Sequence, residues 1–447
     1  MDCGNLFKNK RITVLGLGLL GRGVGDVEFL ATCGAEVLVT DKKSDGELAE
    51  SVAKLKKYPN VTFRLGGHQK EDFEKCDLVI KSAGVRLDSP EIAAARAAGV
   101  AVAMSTALFA KYASEAGAKI VGVTGTRGKT TVAHMIHHSL IRANKRTVLG
   151  GNVRGVSTLA MLPNVKKGDI AVLELDSWQL QGFGELKISP NISVFTNLMP
   201  DHQNYYKDME EYFSDKANIF RYQHQGDALM VGLSVSERIE AAQPPIAPHV
   251  PDSIPSDWKI KILGEHNREN ASLANAALQA LGLSDEEIKA GLESFEGVEG
   301  RLQLVREVNR VKIYNDNNAT TPEATIAALE ALQGPRGTNQ EARNVLIMGG
   351  SNKGLNMSGL VDTINRSCKC IIFLAGTGTE AFLLAHASAL LPQKNGPFDS
   401  LDQAIQKSLD VATTGDTILF SPAFASFGMF KNEYERNDQF LAIVGRI

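Results

Sequence analysis

The sequence contains little cysteine, and the few cysteines do not form the pattern of a metal site or of a disulfide framework. Its 447 residues include five, which are Cys3, Cys33, Cys76, Cys368 and Cys370. The last two form a C-x-C pair, but no second pair stands at the spacing of a zinc site. The odd total also argues against a set of disulfides. We therefore expect structural thiols and a reducing, cytoplasmic compartment.

Long apolar runs and a strong charge of one sign are also missing. No run approaches the roughly 20 apolar residues that a membrane-spanning helix needs, and residues 1–10 lack the apolar core of a signal peptide. The 48 basic and 51 acidic residues leave a formal net charge of -3. Such a balance creates no field that favours nucleic acid or an anionic membrane. We expect neither partner, and local groups must hold any anionic ligand.

The pattern of apolar residues predicts the fold class. Short runs of Val, Ile and Leu alternate with Ala-rich amphipathic stretches, which is typical of α/β folds with mostly parallel sheets. Strands are predicted at 12–15, 36–40, 78–81, 119–123, 171–175, 192–196, 311–314, 345–348, 371–375 and 417–421. The Pro-rich stretch 244–255 is predicted to be an irregular connection. A chain of this length needs more than one core, and we predict three α/β domains, at 1–107, 108–300 and 301–447.

The first glycine-rich turn is typical of a nucleotide-binding fold. Gly16-Leu17-Gly18-Leu19-Leu20-Gly21 follows a predicted strand and opens a predicted helix, and Asp41 ends the next strand. Glycines allow the backbone to approach a phosphate at the positive end of a helix. The pattern suggests NAD without establishing it, since other nucleotides, UDP included, can occupy the same turn. A tight turn without a ligand is the remaining alternative.

The second glycine-rich turn is the stronger signal. Thr124-Gly125-Thr126-Arg127-Gly128-Lys129-Thr130-Thr131 again lies between a predicted strand and a predicted helix. In a P-loop the backbone amides cradle phosphates, the lysine reaches the β- and γ-phosphates, and the next hydroxyl binds Mg²⁺. The strict motif has glycine where this chain has Val123, so this is a variant P-loop.

Polar side chains follow two later strands. Glu174, Ser177 and Gln179 stand at the end of the strand 171–175, and Asp201 with His202 follows the strand 192–196. Taken alone, each group is most simply a solvated turn. Ligands of open parallel sheets bind at the carboxyl ends of strands, however, and a carboxylate there can hold Mg²⁺. By contrast, three histidines inside the helix after the P-loop lack an accompanying carboxylate, and we expect core or surface roles for His134, His137 and His138.

Together these motifs resemble the Mur ligases over nearly the whole chain. Besides the two glycine-rich turns, the similarity covers G-G-N at 150–152, L-E-L-D-S-W-Q-L at 173–180, D-H at 201–202, G-E-H-N-R-E-N at 264–270, N-D-N-N-A-T at 315–320, G-G-S-N-K-G at 349–354 and S-P-A-F-A-S-F-G-M-F-K-N at 421–432. The P-loop and E-L-x-S-x-Q-L are the motifs specific to the family. The last block favours its glutamate-adding branch. The resemblance implies a UDP-binding Rossmann-like domain, a central ATP-binding P-loop domain and a Rossmann-like domain that receives the amino acid.

The resemblance also implies roles for individual residues. The UDP-linked substrate would contact Leu19, Leu20, Asp41, Asn152, Ser177 and Gln179. ATP would be held by Gly125, Thr126, Arg127, Gly128, Lys129, Thr130, Thr131, Asn267, Arg301 and Asp316. Two Mg²⁺ ions would be held by Thr130, Glu174, His202 and Lys216, the lysine being carbamylated in the family. Glutamate would be held by Thr320, Lys353 and Ser426. The catalytic set would be Lys129, Glu174, His202 and Lys216.

The implied reaction is ATP-dependent ligation of glutamate, D-glutamate being expected, to UDP-N-acetylmuramoyl-L-alanine. It proceeds through an acyl phosphate, forms ADP and serves peptidoglycan precursor synthesis, with the three small molecules as partners of a monomeric enzyme. Four alternatives remain open: L-glutamate or another amino acid as substrate, a ligase acting on folate, an NAD-dependent dehydrogenase that uses the first turn, and a nucleotide-binding protein without activity.

The chain departs from the family pattern near its amino-acid-receiving end. A lysine usually follows N-D-x, where this chain has Asn318, and a histidine usually precedes Arg301, where it has Gly300. The acid before the lysine of the G-G segment is absent, leaving Ser351 and Asn352. An aromatic residue near the end of the last block is replaced by Glu433. These changes leave the ATP-binding motifs unaffected. They bear on the expected identity of the amino-acid substrate.

Overall fold

The computed structural model describes residues 4–18, 21–155, 157–201, 205–333 and 342–447. The chain forms two compact units, one made of Met1–Trp258 with Glu269–Leu292 and the other of Lys259–Arg268 with Glu293–Ile447. The first unit contains two sheets and the second contains one. Over the described residues, no helix is both long and apolar enough to cross a membrane.

The amino-terminal sheet is parallel throughout and has five strands, β1 Arg11–Leu15, β2 Glu36–Asp41, β3 Val61–Leu65, β4 Leu78–Lys81 and β5 Ala101–Ala103. Its order is β3-β2-β1-β4-β5. The accompanying helices are α1 Gly4–Phe7, α2 Arg22–Thr32, α3 Ala49–Leu55, α4 Glu71–Glu74, α5 Pro90–Ala97 and α6 Ser105–Glu115. The strand order reverses direction between β1 and β4, which is where open parallel sheets bind ligands.

The central sheet is also parallel and has six strands, β6 Lys119–Thr124, β7 Thr147–Gly151, β8 Ile170–Glu174, β9 Ile192–Phe195, β10 Ala228–Val231 and β11 Pro248–His249, in the order β11-β10-β9-β6-β8-β7. Its helices are α7 Lys129–Arg142, α8 Ser177–Leu186, α9 Met209–Lys216, α10 Ser236–Ala241, α11 Glu265–Ala280 and α12 Asp285–Ser294. Strand β6, which leads into the P-loop, lies between β8 and β9. The polar residues at the carboxyl ends of β8 and β9 therefore lie next to the P-loop.

The carboxy-terminal sheet is mixed. Its strands are β12 Gln303–Val308, β13 Val311–Asn315, β14 Asn344–Gly349, β15 Cys368–Leu374, β16 Gln393–Phe398 and β17 Thr417–Phe420, in the order β12-β13-β17-β14-β15-β16. Among these described strands, β12 pairs with β13 in the antiparallel sense and the other pairs are parallel. The helices are α13 Pro322–Gln333, α14 Ser358–Ser367, α15 Thr377–Ala385, α16 Leu401–Val411 and α17 Glu433–Val444.

The predicted α/β class and the predicted mostly parallel sheets are confirmed. Each predicted strand overlaps an observed one, although the strand predicted at 371–375 begins earlier, at Cys368. The stretch 244–255, predicted to be irregular, contains the two-residue strand β11. The predicted domain boundaries near residues 107 and 300 stay a prediction. Buried apolar side chains from both sheets of the first unit form one continuous core, with Ile12 and Val37 from one sheet and Ile120 and Leu173 from the other.

A buried carboxyl group on α2 contacts the segment between β7 and β8. Ser157 Oγ donates to Asp26 Oδ1 at 2.7 Å, and Asp26 is 8% exposed. Burial raises the pKa of Asp26 to about 6, although the hydrogen bonds from Ser157 and Ser105 oppose that shift. The folded state therefore favours the protonated carboxyl group, whose contribution to stability is present at acid pH and is lost as the pH rises through 6.

We expect an Asp26→Asn variant to gain stability over the parent as the pH rises. The gain between pH 4.5 and pH 8 should be on the order of 2 kcal/mol, because the amide keeps the acceptor and does not ionise. Thermal melts followed by circular dichroism at both pH values measure it. The exposed carboxyl group of Asp45 supplies the control Asp45→Asn. If the stability difference between Asp26→Asn and the parent is the same at both pH values, the prediction is contradicted.

Candidate functional site

The first glycine-rich turn lies at the carboxyl end of β1, and Asp41 holds it in place. Asp41 Oδ2 accepts from the backbone amide of Leu17 at 2.9 Å, and Oδ1 accepts from the amide of Lys43 at 2.9 Å. Gly21 has φ +81° and caps α2. The turn and Asp41 thus lie together, and both carboxylate oxygens brace the backbone. The contact of Asp41 with UDP stays a prediction. The predicted UDP contacts Leu19 and Leu20 lie outside the described residues.

The P-loop connects β6 to α7, and glycine is required at its first position. Gly125 has φ +140°, and a Cβ there would lie 1.9 Å from Thr196 Oγ1. The amides of Thr126 and Arg127 donate to the backbone oxygen and to Oδ1 of Asn197, at 3.0 and 2.8 Å. The first amides of a helix have no partner within the helix and attract anions. The start of α7 at Lys129 therefore fits a phosphate chain.

Lys129 and the threonines after it stand at the beginning of α7. Lys129 Nζ donates to the backbone oxygen of Thr126 at 3.0 Å, so the ammonium group lies over its own loop. Thr130 is partly buried and Thr131 is buried. Gly128, with φ +82°, caps the helix. The predicted P-loop residues thus form one turn that leads directly into the first turn of α7.

Glu174 ends β8 beside the P-loop strand, opposite Val123 in register. It is 3% exposed. Its backbone oxygen accepts from the amide of Asn152 at 2.7 Å, and its Oε1 lies 3.5 Å from Asn152 Nδ2. The structure therefore places two predicted site residues, Glu174 and Asn152, against each other at the carboxyl edge of the sheet. A carboxylate in this position suits a hard cation such as Mg²⁺.

The beginning of α8 carries two residues predicted to line the substrate site. Asp176 caps the helix in a capping box, accepting from the amide of Gln179 at 2.7 Å while Gln179 Oε1 accepts from the amide of Asp176 at 3.2 Å. Gln179 Nε2 donates to Thr106 Oγ1 at 3.1 Å. The amide group of Gln179 is thus already used in holding α8, and Ser177, 1% exposed, lies next to it.

Lys216 ends α9 and is buried under the P-loop. A lysine considered without its context would be expected at the surface. It is 1% exposed, and its Nζ donates to the backbone oxygen of Gly125 at 2.8 Å. The ring of Tyr212 lies beneath, 4.8 Å from Nζ to the centroid. Burial, aided by the charge of Lys129, holds the pKa of Lys216 well below its usual range. Burial therefore penalises the charged form of this amine, which is in contact with the phosphate-binding loop.

The second unit contains the remaining residues predicted to contact ATP. Asp316 Oδ2 accepts from Ser421 Oγ at 2.8 Å, and Oδ1 accepts from the amide of Leu302 at 3.0 Å. Burial raises the pKa of Asp316 to about 7, an effect that the Ser421 hydrogen bond and the charge of Arg301 oppose. Asn267 Nδ2 donates to the backbone oxygen of Leu263 at 2.7 Å. Their contact with a nucleotide stays a prediction.

Two of the residues predicted to hold glutamate are in contact in the second unit. Lys353 Nζ donates to Thr320 Oγ1 at 3.0 Å. An isolated bridge pairs Ser351 with Ala425 and so brings Ser426 next to the segment that carries Lys353. The ammonium group of Lys353 beside the hydroxyl group of Thr320 is suited to a carboxylate. This cluster could therefore hold one end of a dicarboxylic amino acid.

The predicted metal site is described in part. His202 lies outside the described residues, so its place beside Thr130, Glu174 and Lys216 stays a prediction. Within the described ranges no group of three or more His, Cys, Asp or Glu could hold a metal ion. Burial lowers the pKa of His137 on α7. The thiols of Cys76, Cys368 and Cys370 are buried and free. Cys33 is disulfide-bonded, so the expectation of a structural thiol is wrong at that position.

Two supporting residues were missed from the sequence. Asn197, which braces both P-loop amides, stands just after the predicted strand 192–196, so the strand-end rule could have identified it. Arg436 is fully buried on α17, where Nε and Nη2 donate to Oδ1 and the backbone oxygen of Asn317, each at 2.8 Å. It fixes the loop before Thr320. A helical arginine near the chain end carries no sequence signal for that role.

Three family descriptions match successive parts of the chain. The description "Mur ligase MurD-like, N-terminal domain" covers residues 10–104, "Mur ligase middle domain" covers 123–245, and "Mur ligase, glutamate ligase domain" covers 300–424. The second match includes the P-loop, Glu174 and Lys216. The third includes Asp316, Thr320 and Lys353.

Similar proteins extend over the same length. A protein of Roseiflexus sp. strain RS-1, named UDP-N-acetylmuramoylalanine--D-glutamate ligase, is 35% identical over 97% of this chain and 98% of its own. A Borreliella afzelii protein of the same name is 31% identical, over 98% of each chain. Among solved structures, MurC of Thermotoga maritima covers 98% of this chain and 100% of its own with a TM-score of 0.60 at 19% identity. MurF of that organism in complex with ADP covers 99% and 96% with a TM-score of 0.59 at 14% identity. At these identities the two structures support the fold alone.

Proposed function

Since the chain belongs to the Mur ligase family, we propose that it is an ADP-forming ligase that joins D-glutamate to UDP-N-acetylmuramoyl-L-alanine in peptidoglycan synthesis. The observation that carries the proposal is the 35% identity, along nearly the whole length of both chains, to a ligase named for D-glutamate addition. The P-loop would bind ATP, and Thr320, Lys353 and Ser426 would bind the dicarboxylic amino acid.

The reaction has two steps. An oxygen of the alanine carboxylate attacks the γ-phosphorus of ATP, the bond to the β–γ bridging oxygen breaks, and ADP leaves an acyl phosphate behind. The amine of glutamate then attacks the acyl carbon, loses a proton, and phosphate departs as the amide forms. Lys129 and the first amides of α7 would stabilise the charge on the transferring group, since such transfer depends chiefly on positioning and electrostatics.

Mg²⁺, when bound, would neutralise charge on the phosphate oxygens. We propose Thr130, Glu174, His202 and Lys216 as its ligands, with two ions in the full site. Lys216 fits this role if it is carbamylated, because a neutral amine can add to CO₂ and become a carboxylate-like group. Support comes from its burial against the oxygen of Gly125, 2.8 Å from Nζ, and from its lowered pKa.

Phosphate release with defined substrates tests the proposed function. Purified protein is incubated with ATP, Mg²⁺, UDP-N-acetylmuramoyl-L-alanine and either D- or L-glutamate. We expect release that depends on the nucleotide sugar and on D-glutamate, with the ligated product identified by mass. Equal rates with L-glutamate would support the other isomer, and absence of product with either isomer would overturn the proposal.

We further propose that the reaction takes place in the cytoplasm on these three small molecules and that the enzyme is a monomer without nucleic-acid or membrane partners. The near-neutral formal charge supports the last point. The three domains, at 1–107, 108–300 and 301–447, would bind UDP, ATP and the amino acid in turn. Gel filtration with light scattering tests the oligomeric state.

A further inference from the structure

A second lysine of the first unit is buried, and it has no role among the residues considered so far. Lys81 ends β4 and is 2% exposed. Its Nζ donates to the backbone oxygen of Val85 at 3.0 Å and to Gln181 Oε1 at 3.1 Å. Within the described ranges both acceptors are neutral and Lys81 forms no ion pair. Burying an ammonium group in this way is costly and is only partly offset by the charges of Asp176 and Asp215, so its presence requires an explanation.

Lys81 lies where the order of the amino-terminal sheet reverses. It pairs in register with Leu15, the last residue of β1, so the loop after Lys81 faces the glycine-rich turn. A Cβ on Gly16 would lie 2.4 Å from Ser82 Oγ. The turn and the loop 82–85 are thus in close contact at the edge where open parallel sheets bind nucleotides. By holding the backbone oxygen of Val85, Lys81 fixes that loop.

The same ammonium group connects this edge to the central sheet. Gln181 lies on α8, the helix that begins with Ser177, and its Nε2 donates to Asp215 Oδ2 at 2.8 Å. Asp215 is the neighbour of Lys216 on α9. Because a lysine can only donate, it requires the oxygen of the Gln181 amide to face it, and the amide nitrogen then faces the Asp215 carboxylate. Lys81 therefore sets the orientation of the Gln181 side-chain amide.

We propose that Lys81 is a positioning residue that sets the affinity for the nucleotide sugar by holding the loop 82–85 and the Gln181 amide in one arrangement. The proposal rests on the proposed function, since it concerns binding of that substrate. Lys81 need not contact the reacting atoms. Its loss would misplace one side of the expected UDP site and leave the phosphate-binding loop, which Asn197 braces, in place.

Steady-state kinetics and direct binding test the proposal with Lys81→Met, which keeps the length of the side chain and removes its donors. We expect KM for the nucleotide sugar to rise about tenfold, since a buried hydrogen-bonded charge is lost, while KM for ATP and for glutamate changes less than about twofold. Calorimetric binding of the nucleotide sugar without ATP should weaken by the same factor. Lys81→Arg, which keeps the charge, should restore part of the loss.

Two further variants separate positioning from general damage. Thr13→Val is the matched control, because Thr13 is buried in the same sheet and its Oγ1 donates to the backbone oxygen of Asp72 at 2.6 Å. It should lower the melting temperature and leave all three KM values unchanged. Gln181→Leu should reproduce part of the loss of affinity for the nucleotide sugar seen in Lys81→Met. The loss in the double variant should be smaller than the sum of the two single losses, expressed as free energies.

The outcomes are distinct. An unchanged affinity for the nucleotide sugar in Lys81→Met overturns the inference, as does an equal loss in Thr13→Val. If circular dichroism shows that Lys81→Met is not folded, the affinities of Lys81→Arg and Gln181→Leu for the nucleotide sugar are compared with that of Thr13→Val instead. A parent protein that binds the nucleotide sugar but does not ligate glutamate refutes the proposed function and leaves this binding test valid. A parent that does not bind it overturns both.

Discussion

Replacing Lys129 by alanine should abolish ATP-dependent phosphate release, with a loss of at least about 10³-fold in kcat, because its charge is needed most when the phosphoryl group transfers. Lys129 begins α7 directly after the capping Gly128, and its Nζ lies 3.0 Å from the backbone oxygen of Thr126. The ammonium group is thus held at the loop that would receive the triphosphate. A stopped or continuous phosphate assay with saturating nucleotide sugar and D-glutamate measures the loss.

A lysine at the other end of the same helix gives the control. Lys145 is exposed just beyond α7, so Lys145→Ala removes the same charge from the chain without affecting the P-loop. It should retain the parent rate within about twofold, as surface substitutions usually have small effects. Consumption of ATP by Lys129→Ala at the parent rate in the presence of the nucleotide sugar would refute the placement of ATP at this loop.

The glycine-rich turns were predictable because their chemistry is local. Gly125 and Gly128 have φ of +140° and +82°, conformations that glycine adopts at little cost, and the strand before and the helix after are visible in the apolar pattern. Glu174 was predictable for a related reason, since parallel neighbouring strands bring their carboxyl ends to one edge. Short-range sequence thus predicted which residues meet at the carboxyl edge of the sheet.

The supporting contacts were not predictable because they join distant parts of the chain. Lys216 contacts the oxygen of Gly125, 91 positions away, and Lys81 contacts Gln181, 100 positions away. Each lysine alone resembles a solvent-exposed residue, which is the usual place for lysine. The antiparallel strand β12 also escaped prediction, since its residues are mostly part-exposed or exposed and show no apolar run. Burial is decided by packing between elements, and one sequence does not contain that information.

Loss of the Lys216 amine should have an effect comparable to loss of Lys129. If Lys216 carries a carbamate that holds Mg²⁺, then Lys216→Ala removes a metal ligand, and kcat should fall by about 10²- to 10³-fold. Lys216→Arg should not restore activity, because a guanidinium group stays protonated and cannot form a carbamate. Rates at several Mg²⁺ concentrations measure both effects, and Lys216→Ala should require more Mg²⁺ for its residual activity.

Carbamylation itself has an independent readout. With ¹³C-labelled bicarbonate, the parent should show a carbamate carbon by NMR that Lys216→Ala lacks, whether or not substrates are present. The control for a cavity in α9 is Phe213→Leu, which also trims a buried side chain of that helix but leaves the oxygen of Gly125 in contact with Lys216. That variant should melt earlier and keep the NMR signal. An active Lys216→Arg protein, or a parent without the signal, would refute the ligand role, because a cationic side chain at this position repels Mg²⁺ unless its charge is reversed.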